Sequence, residues 1–214
     1  MTERMGASLA GCRVWVTRPR LQARALCDLI RGAAGEAVEF PLTEILAAPD
    51  PDNARAILGQ MAHFNFCIFI SRNAVLRALE LQPELAQAAG KCRMFAVGAG
   101  TAGELSRRGI DAVTGPGPAH GTAELLTLPQ FQAQAVRGQS ILIVRGLGGE
   151  PVLREELERR GAAVQYVEVY QRRRPDYDPD RLRRLWQQTP PDMIVLTSAG
   201  GARGWLRAPA RRWY

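Results

Sequence analysis

Lysine and histidine are nearly missing from this sequence: Lys91 is the one lysine, His63 and His120 are the histidines, and every other basic residue is an arginine. With so little histidine and no Cys-x-x-Cys pair, no set of ligands has the spacing of a structural zinc site. The cysteines Cys12, Cys27, Cys67 and Cys92 stand far apart, mostly in apolar runs, where buried free thiols are expected. No apolar run reaches the roughly 18 to 20 residues that span a bilayer, and Met1 to Gly11 carries Glu3 and no long apolar stretch. A soluble, cytoplasmic protein without a membrane partner is the expectation. Aromatic residues make up 7% and charged residues 23%, which excludes a disordered, collagen-like or fibrous chain.

What is present is a globular chain of 214 residues, 46% hydrophobic, with a formal net charge of +7. At roughly 150 residues per domain this allows one large or two small domains. The charge would concentrate an anionic partner, whether nucleic acid, phosphate or polycarboxylate. A GC-rich coding bias accounts equally well for the excess of arginine over lysine.

Short apolar runs alternate with helical patterns along the chain. The runs are Cys12 to Val16, Ala37 to Phe40, Phe66 to Ile70, Met94 to Val97, Ile110 to Val113, Ile141 to Val144, Val164 to Val169 and Met193 to Leu196. Amphipathic stretches lie between most of them, among them Leu21 to Arg31, Thr101 to Arg108, Val152 to Arg160 and Arg181 to Gln188. This spacing predicts an α/β protein with parallel sheets covered by helices. A loose repeat, Leu105-Ser106-Arg107-Arg108-Gly109 and Leu157-Glu158-Arg159-Arg160-Gly161, puts glycine at a left-handed helix end and arginines where the dipole favours cations.

Leu46 to Asn53 and Gln171 to Pro179 are rich in proline and charge and read as linkers. They isolate a central domain, residues 53–170, with five strand candidates. The flanking pieces, residues 1–45 and 175–214, would form a discontinuous domain whose sheet has three strands and looks incomplete. After Thr197-Ser198-Ala199-Gly200 the chain shows no clear amphipathic pattern, and Pro209 lies among arginines and tryptophans.

Gly98-Ala99-Gly100-Thr101-Ala102-Gly103 follows a strand and opens a helix, as in dinucleotide sites. The acidic residue such a site needs at the end of the next strand is absent, since Thr114-Gly115-Pro116-Gly117-Pro118 stands there. A dinucleotide-binding oxidoreductase domain is therefore the lesser alternative. More informative are Thr17-Arg18-Pro19, Ser71-Arg72-Asn73, Gly98 to Thr101, Arg145-Gly146 and Thr197-Ser198, all at carboxyl ends of strands. Open α/β sheets place ligands there; the hydroxyls cap the following helices, whose first amides can bind anions.

In order and spacing these segments resemble the uroporphyrinogen-III synthase family. The resemblance runs from Val14 to about Gly200. It rests on Val16-Thr17-Arg18-Pro19, Phe69-Ile70-Ser71-Arg72-Asn73-Ala74-Val75, Ala96-Val97-Gly98-Ala99-Gly100-Thr101-Ala102, Gly121-Thr122-Ala123-Glu124-Leu125-Leu126, Val144-Arg145-Gly146, Arg160-Gly161-Ala162 with Val169-Tyr170, and Thr197-Ser198. The resemblance implies two parallel-sheet α/β domains joined by a two-stranded linker, with the active site between them. It implies a cyclising hydro-lyase of haem and sirohaem biosynthesis that closes hydroxymethylbilane, a linear tetrapyrrole, to uroporphyrinogen III. In that family water is lost, the last pyrrole ring is inverted, and neither metal nor cofactor takes part. A monomer without a nucleic-acid partner is also implied, and the eight carboxylates of the substrate suit the basic balance.

By the same resemblance Tyr170 stands at the strand-end tyrosine that helps hydroxide leave; a linker tyrosine covering the sheet edge is its bland alternative. Ser71, Thr101 and Ser198 would hold substrate carboxylates, with Arg18 and Arg145 as forked donors or, equally, as structural partners of acidic residues. Two departures stand out. Glu150 occupies a position where the family often has a basic residue, and the family continues past the Thr-Ser turn by on the order of fifty residues of strand and helix. A truncated, inactive fragment of the enzyme is thus an alternative. A nucleic-acid binder is disfavoured, because the arginines sit mostly at helix ends and linkers and the aromatics are scattered.

Overall fold

The computed structural model describes residues 8–116 and 121–197. In chain order the elements are β1 (Arg13–Val16), α1 (Arg20–Gly32), β2 (Glu36–Glu39), β3 (Glu44–Ala47), α2 (Pro51–Gly59), β4 (Phe66–Phe69), α3 (Arg72–Leu81), α4 (Leu85–Ala88), β5 (Arg93–Ala96), α5 (Ala99–Ser106), β6 (Val113–Thr114), α6 (Thr122–Leu126), α7 (Ala133–Val136), β7 (Ser140–Gly146), α8 (Val152–Arg159), β8 (Ala163–Arg173), α9 (Pro179–Gln188) and β9 (Met193–Val195). They form a three-stranded sheet, β2-β1-β9, and a six-stranded sheet, β3-β8-β7-β4-β5-β6. The chain divides into two compact units, residues 1–45 with 172–214 and residues 46–171.

In the first unit β1 pairs in parallel with β2 and with β9. Its side chains alternate between the faces, as period two requires. Val14 and Val16 pack with Ala23, Cys27 and Ile30 of the amphipathic α1. Trp15 points the other way, into a cluster with Phe40, Leu42 and Leu182 of α9. Its ring meets Phe40 at 4.7 Å and Trp186 edge-on at 5.4 Å, and its indole N–H donates to the Thr189 carbonyl at 3.1 Å. That bond keeps the buried indole from leaving a donor unpaired.

In the second unit β4 pairs in parallel with β5 and β7, β5 with β6, and β7 with β8. Residues Ile141 to Val144 of β7 are all buried, because helices cover both faces of a parallel sheet and each strand must be apolar on both. One core cluster joins Ile68, Phe95, Ile141 and Ile143 of the strands with Leu153 and Leu157 of α8 and with Phe131, whose ring lies 4.6 Å from that of Phe95. The repeat seen in the sequence ends its helices as expected. Gly109 and Gly161 take φ +72° and +91°, the left-handed region that lets a chain leave a helix cheaply.

The proline-rich run 46–53 begins at the division between the two units and carries regular structure at both its ends. Its first residues complete β3, which sits at the sheet edge beside β8, and Asp50 then caps α2 by accepting from the Asn53 amide at 3.0 Å. Pro51 stands at the first helical position, where its missing N–H costs nothing. The second expected linker also begins inside a strand, since β8 continues through Arg173, whose guanidinium pairs with Glu44 of β3 at 2.9 Å. The strand expected at Ile110 to Val113 is shifted, with only Val113–Thr114 pairing to β5.

Candidate functional site

Most of the strand ends singled out in the sequence belong to the second unit. After β4 the chain enters Ser71, whose extended backbone (φ −159°, ψ 162°) places its hydroxyl to cap α3, accepting from the Ala74 amide at 3.2 Å. The same Oγ lies 3.1 Å from the phenol oxygen of Tyr170, 99 residues later in the chain. Either hydroxyl can donate. Because Ser71 already accepts from Ala74, it can still donate its own proton to the phenol and leave the phenol proton to point elsewhere.

A bulge brings Tyr170 to this place. Arg145 stands opposite Glu168 but the next residue, Gly146, stands opposite Tyr170, so β8 has one residue extra. The Tyr170 ring then covers Gly146, and its carbonyl accepts from the Leu147 amide at 2.7 Å. A Cβ on Gly146 would lie 2.5 Å from the ring carbon that bears the hydroxyl, so glycine is required for the close approach. Tyr170 is 1% exposed, which replaces the alternative of a tyrosine lying on the sheet edge by a buried, hydrogen-bonded phenol.

Other expected residues are engaged differently. Arg145 is 8% exposed and turned inward; it donates to the carbonyls of Gly146 and Gly148 and stacks over the Tyr166 ring at 4.4 Å. Its fork thus holds the glycine loop, and its partners are backbone carbonyls rather than the acidic side chains entertained from the sequence. Thr101 is buried in the first turn of α5, its hydroxyl donating to the Val97 carbonyl at 3.1 Å. Arg18 lies in the first unit, half-buried, beside Thr17, whose hydroxyl donates to the Val195 carbonyl at 2.7 Å. Ser198 lies outside the described residues. The structure therefore brings Ser71 and Tyr170 together, and among the described residues it forms no direct bond joining Arg18, Thr101 or Arg145 to that pair.

Gly146 was missed as a site residue. The signal was a glycine ending an apolar strand, which marks a close approach as readily as a turn. A cavity of about 390 Å³ in the first unit, lined by Phe40, Leu42, Pro175 and Tyr177, includes none of the expected residues. Among the described residues no group of His, Cys, Asp and Glu could hold a metal ion. The buried Cys67 thiol is pushed well up by burial and then by its hydrogen bond with Cys92, so it offers no thiolate.

Fold and site together define a two-unit α/β protein of the open-sheet class, with a hydroxyl pair at carboxyl strand ends. The family model for uroporphyrinogen-III synthase HemD matches residues 24–212. The uroporphyrinogen-III synthase of Salmonella typhimurium is 30% identical over 203 residues, 94% of this chain and 81% of that one. That of Escherichia coli is 30% identical over 189 residues, 86% and 75% of the two chains. A solved mutant uroporphyrinogen III synthase of Thermus thermophilus superposes with a TM-score of 0.63 at 20% identity, over 91% of this chain and 75% of that one. The chain belongs to the uroporphyrinogen-III synthase family.

Proposed function

We infer that this chain is a cyclising lyase of tetrapyrrole biosynthesis that converts hydroxymethylbilane to uroporphyrinogen III. Family membership along most of the chain carries the reading. The Ser71–Tyr170 hydroxyl pair is the observation that gives it chemistry.

The reaction begins when hydroxide leaves the bilane, giving a conjugated azafulvene cation. The terminal pyrrole attacks that cation at its substituted carbon to form a spiro intermediate, which fragments and closes again with the ring inverted. The pyrroles supply the electrons. A proton must reach the departing hydroxide to give water, and one is released when the re-closed ring regains aromaticity, so the protein's proton inventory is restored. A phenol O–H held at the departing oxygen can serve as this donor. We assign that role to Tyr170, with Ser71 orienting the phenol. The rest of the work is to hold the bilane folded so that plain closure without inversion loses.

For the substrate carboxylates we propose Arg18 and Ser198 and, at Ser71 and Thr101, the backbone amides that open α3 and α5, because the hydroxyl protons of Ser71 and Thr101 are already engaged. Arg145 is supported as the residue that shapes the loop beside Tyr170. The enzyme is proposed to act as a monomer in the cytoplasm without a nucleic-acid partner. The monomer reading is supported by a hydroxyl pair built within one unit. Free cysteines, three of them buried, fit a reducing compartment. Surface arginines tied to carboxylates, such as Arg55 with Asp52, Arg77 with Glu80 and Arg154 with Glu158, fit a protein without a continuous basic stripe.

Supplied with freshly made hydroxymethylbilane, the protein is expected to yield the III isomer. Formation of the spontaneous I isomer alone would overturn the reading.

A further inference from the structure

Arg72 is the residue after Ser71, at the first position of α3, and its side chain is exposed. Its Nε donates to the Gly100 carbonyl in the first turn of α5 at 3.0 Å. Gly100 is what admits it: a Cβ there would lie 2.7 Å from both Nε and Nη2 of Arg72. The guanidinium is thereby pinned across the carboxyl ends of β4 and β5, one residue from the Ser71 hydroxyl that meets Tyr170. With Nε used, the Nη1 and Nη2 donors remain as a planar fork.

Its electrostatic setting separates it from the arginines around it. Among the described residues no ion pair involves Arg72, whereas Arg77 on the same helix pairs with Glu80 at 2.6 Å. Arg145, the other arginine at these strand ends, is buried and has its donors on the Gly146 and Gly148 carbonyls. Arg72 is thus a fixed cation, open to solvent, beside a hydroxyl pair assigned to a polycarboxylate substrate. The inverse of this arrangement would be a long, mobile arginine on a helix flank. Anchoring Nε lowers the rotamer entropy that a forked bond to a ligand would otherwise cost.

We propose that Arg72 is a carboxylate clamp for the tetrapyrrole, binding one acetate or propionate side chain of the substrate through Nη1 and Nη2. The assignment rests on the reading of this site as that of a uroporphyrinogen-III synthase. It predicts a defect in binding with little change in chemistry, because the clamped carboxylate takes no part in the bonds that break and form and is held alike in the ground and transition states.

The test compares the parent with Arg72→Gln, Arg72→Lys and Gly100→Ala, the last keeping the charge but displacing the guanidinium. With hydroxymethylbilane, Arg72→Gln is expected to raise KM by about tenfold or more while kcat stays within about twofold, with Arg72→Lys recovering part of the loss. Gly100→Ala is expected to raise KM in the same direction. The KM of the parent should rise more steeply with salt than that of Arg72→Gln. An unchanged KM in Arg72→Gln, or a fall in kcat that tracks a lowered Tm, overturns the clamp. Binding of uroporphyrin, an octacarboxylate, is measured in parallel by fluorescence. If the parent made only the I isomer, the reading of function would fall, and an uroporphyrin Kd equal in parent and Arg72→Gln would still overturn the clamp separately.

Discussion

Tyr170 and Gly146 form one device, in which a residue without a side chain gives a phenol its place. The ring packs against the glycine backbone, its hydroxyl meets Ser71 at 3.1 Å, and both depend on the bulge that puts position 170 opposite position 146. Tyr170→Phe keeps the ring and its packing but removes the proton, so kcat for isomer III should fall by about 10²- to 10⁴-fold with KM little changed. Unchanged turnover would remove Tyr170 from the chemistry. Gly146→Ala keeps the proton and moves the ring. Steady-state kinetics should show a kcat loss of the same kind, and urea unfolding a loss of about 1–3 kcal/mol from overpacking. A variant that kept full activity would mean that the close approach at Gly146 does not position the phenol. Neither residue could be assigned its contact from the sequence, because the meeting of a strand-end hydroxyl with a phenol 99 residues away depends on which strands become neighbours.

At the scale of elements, α8 shows how the abundant arginine is used. Arg160, just past its end, donates to Glu156 at 2.6 Å and to the carbonyls of Leu126 and Phe131 at 2.9 and 2.6 Å. Those carbonyls belong to the segment of short helices between β6 and β7. One guanidinium therefore helps to satisfy the carbonyl that closes α6 and a second carbonyl in the turn that follows it. Glu156 is held below the ordinary carboxylate range by the hydrogen bonds from Arg159 and then from Arg160. A carboxylate whose folded value is depressed contributes stability above its unfolded value, roughly 4.3, and loses that contribution as pH falls through the lower folded value. Glu156→Gln should therefore lower Tm at pH 7, with the gap to the parent narrowing as the pH is taken below that range. A gap that persisted in acid would point to packing instead of charge. The element reading from sequence was strongest where period was strong, at α1, α8 and the apolar strands of the second sheet. It failed at β3, where Glu44-Ile45-Leu46-Ala47 is short and runs directly into the prolines that start α2. Tertiary pairing with β8 decided that strand against its local composition.

At the scale of the whole molecule, the two units carry separate cores, one around the Trp15, Phe40 and Trp186 rings and the other around Phe66, Phe95 and Phe131. Trp15→Ala should cost the first unit about 3–5 kcal/mol. Because stability is local where cores are separate, hydrogen exchange should show amides of β1 and β2 losing protection while those of β4 and β7 keep theirs. Uniform loss across both sheets would mean that the units unfold as one.

The sequence by itself determined the alternation of strand and helix, the parallel pairing and the concentration of hydroxyls, glycines and arginines at strand ends. These follow from period and from local capping, which involve residues a few positions apart. Tertiary structure alone decided that Tyr170 meets Ser71, that Arg145 turns inward to its own loop, and that Arg72 is pinned on Gly100 and left without a carboxylate partner among the described residues. A hydrogen bond needs its donor and acceptor within about 3 Å at a narrow angle. Which arginine is free for an anion, and which is already satisfied, is therefore fixed by strand order and by one bulge.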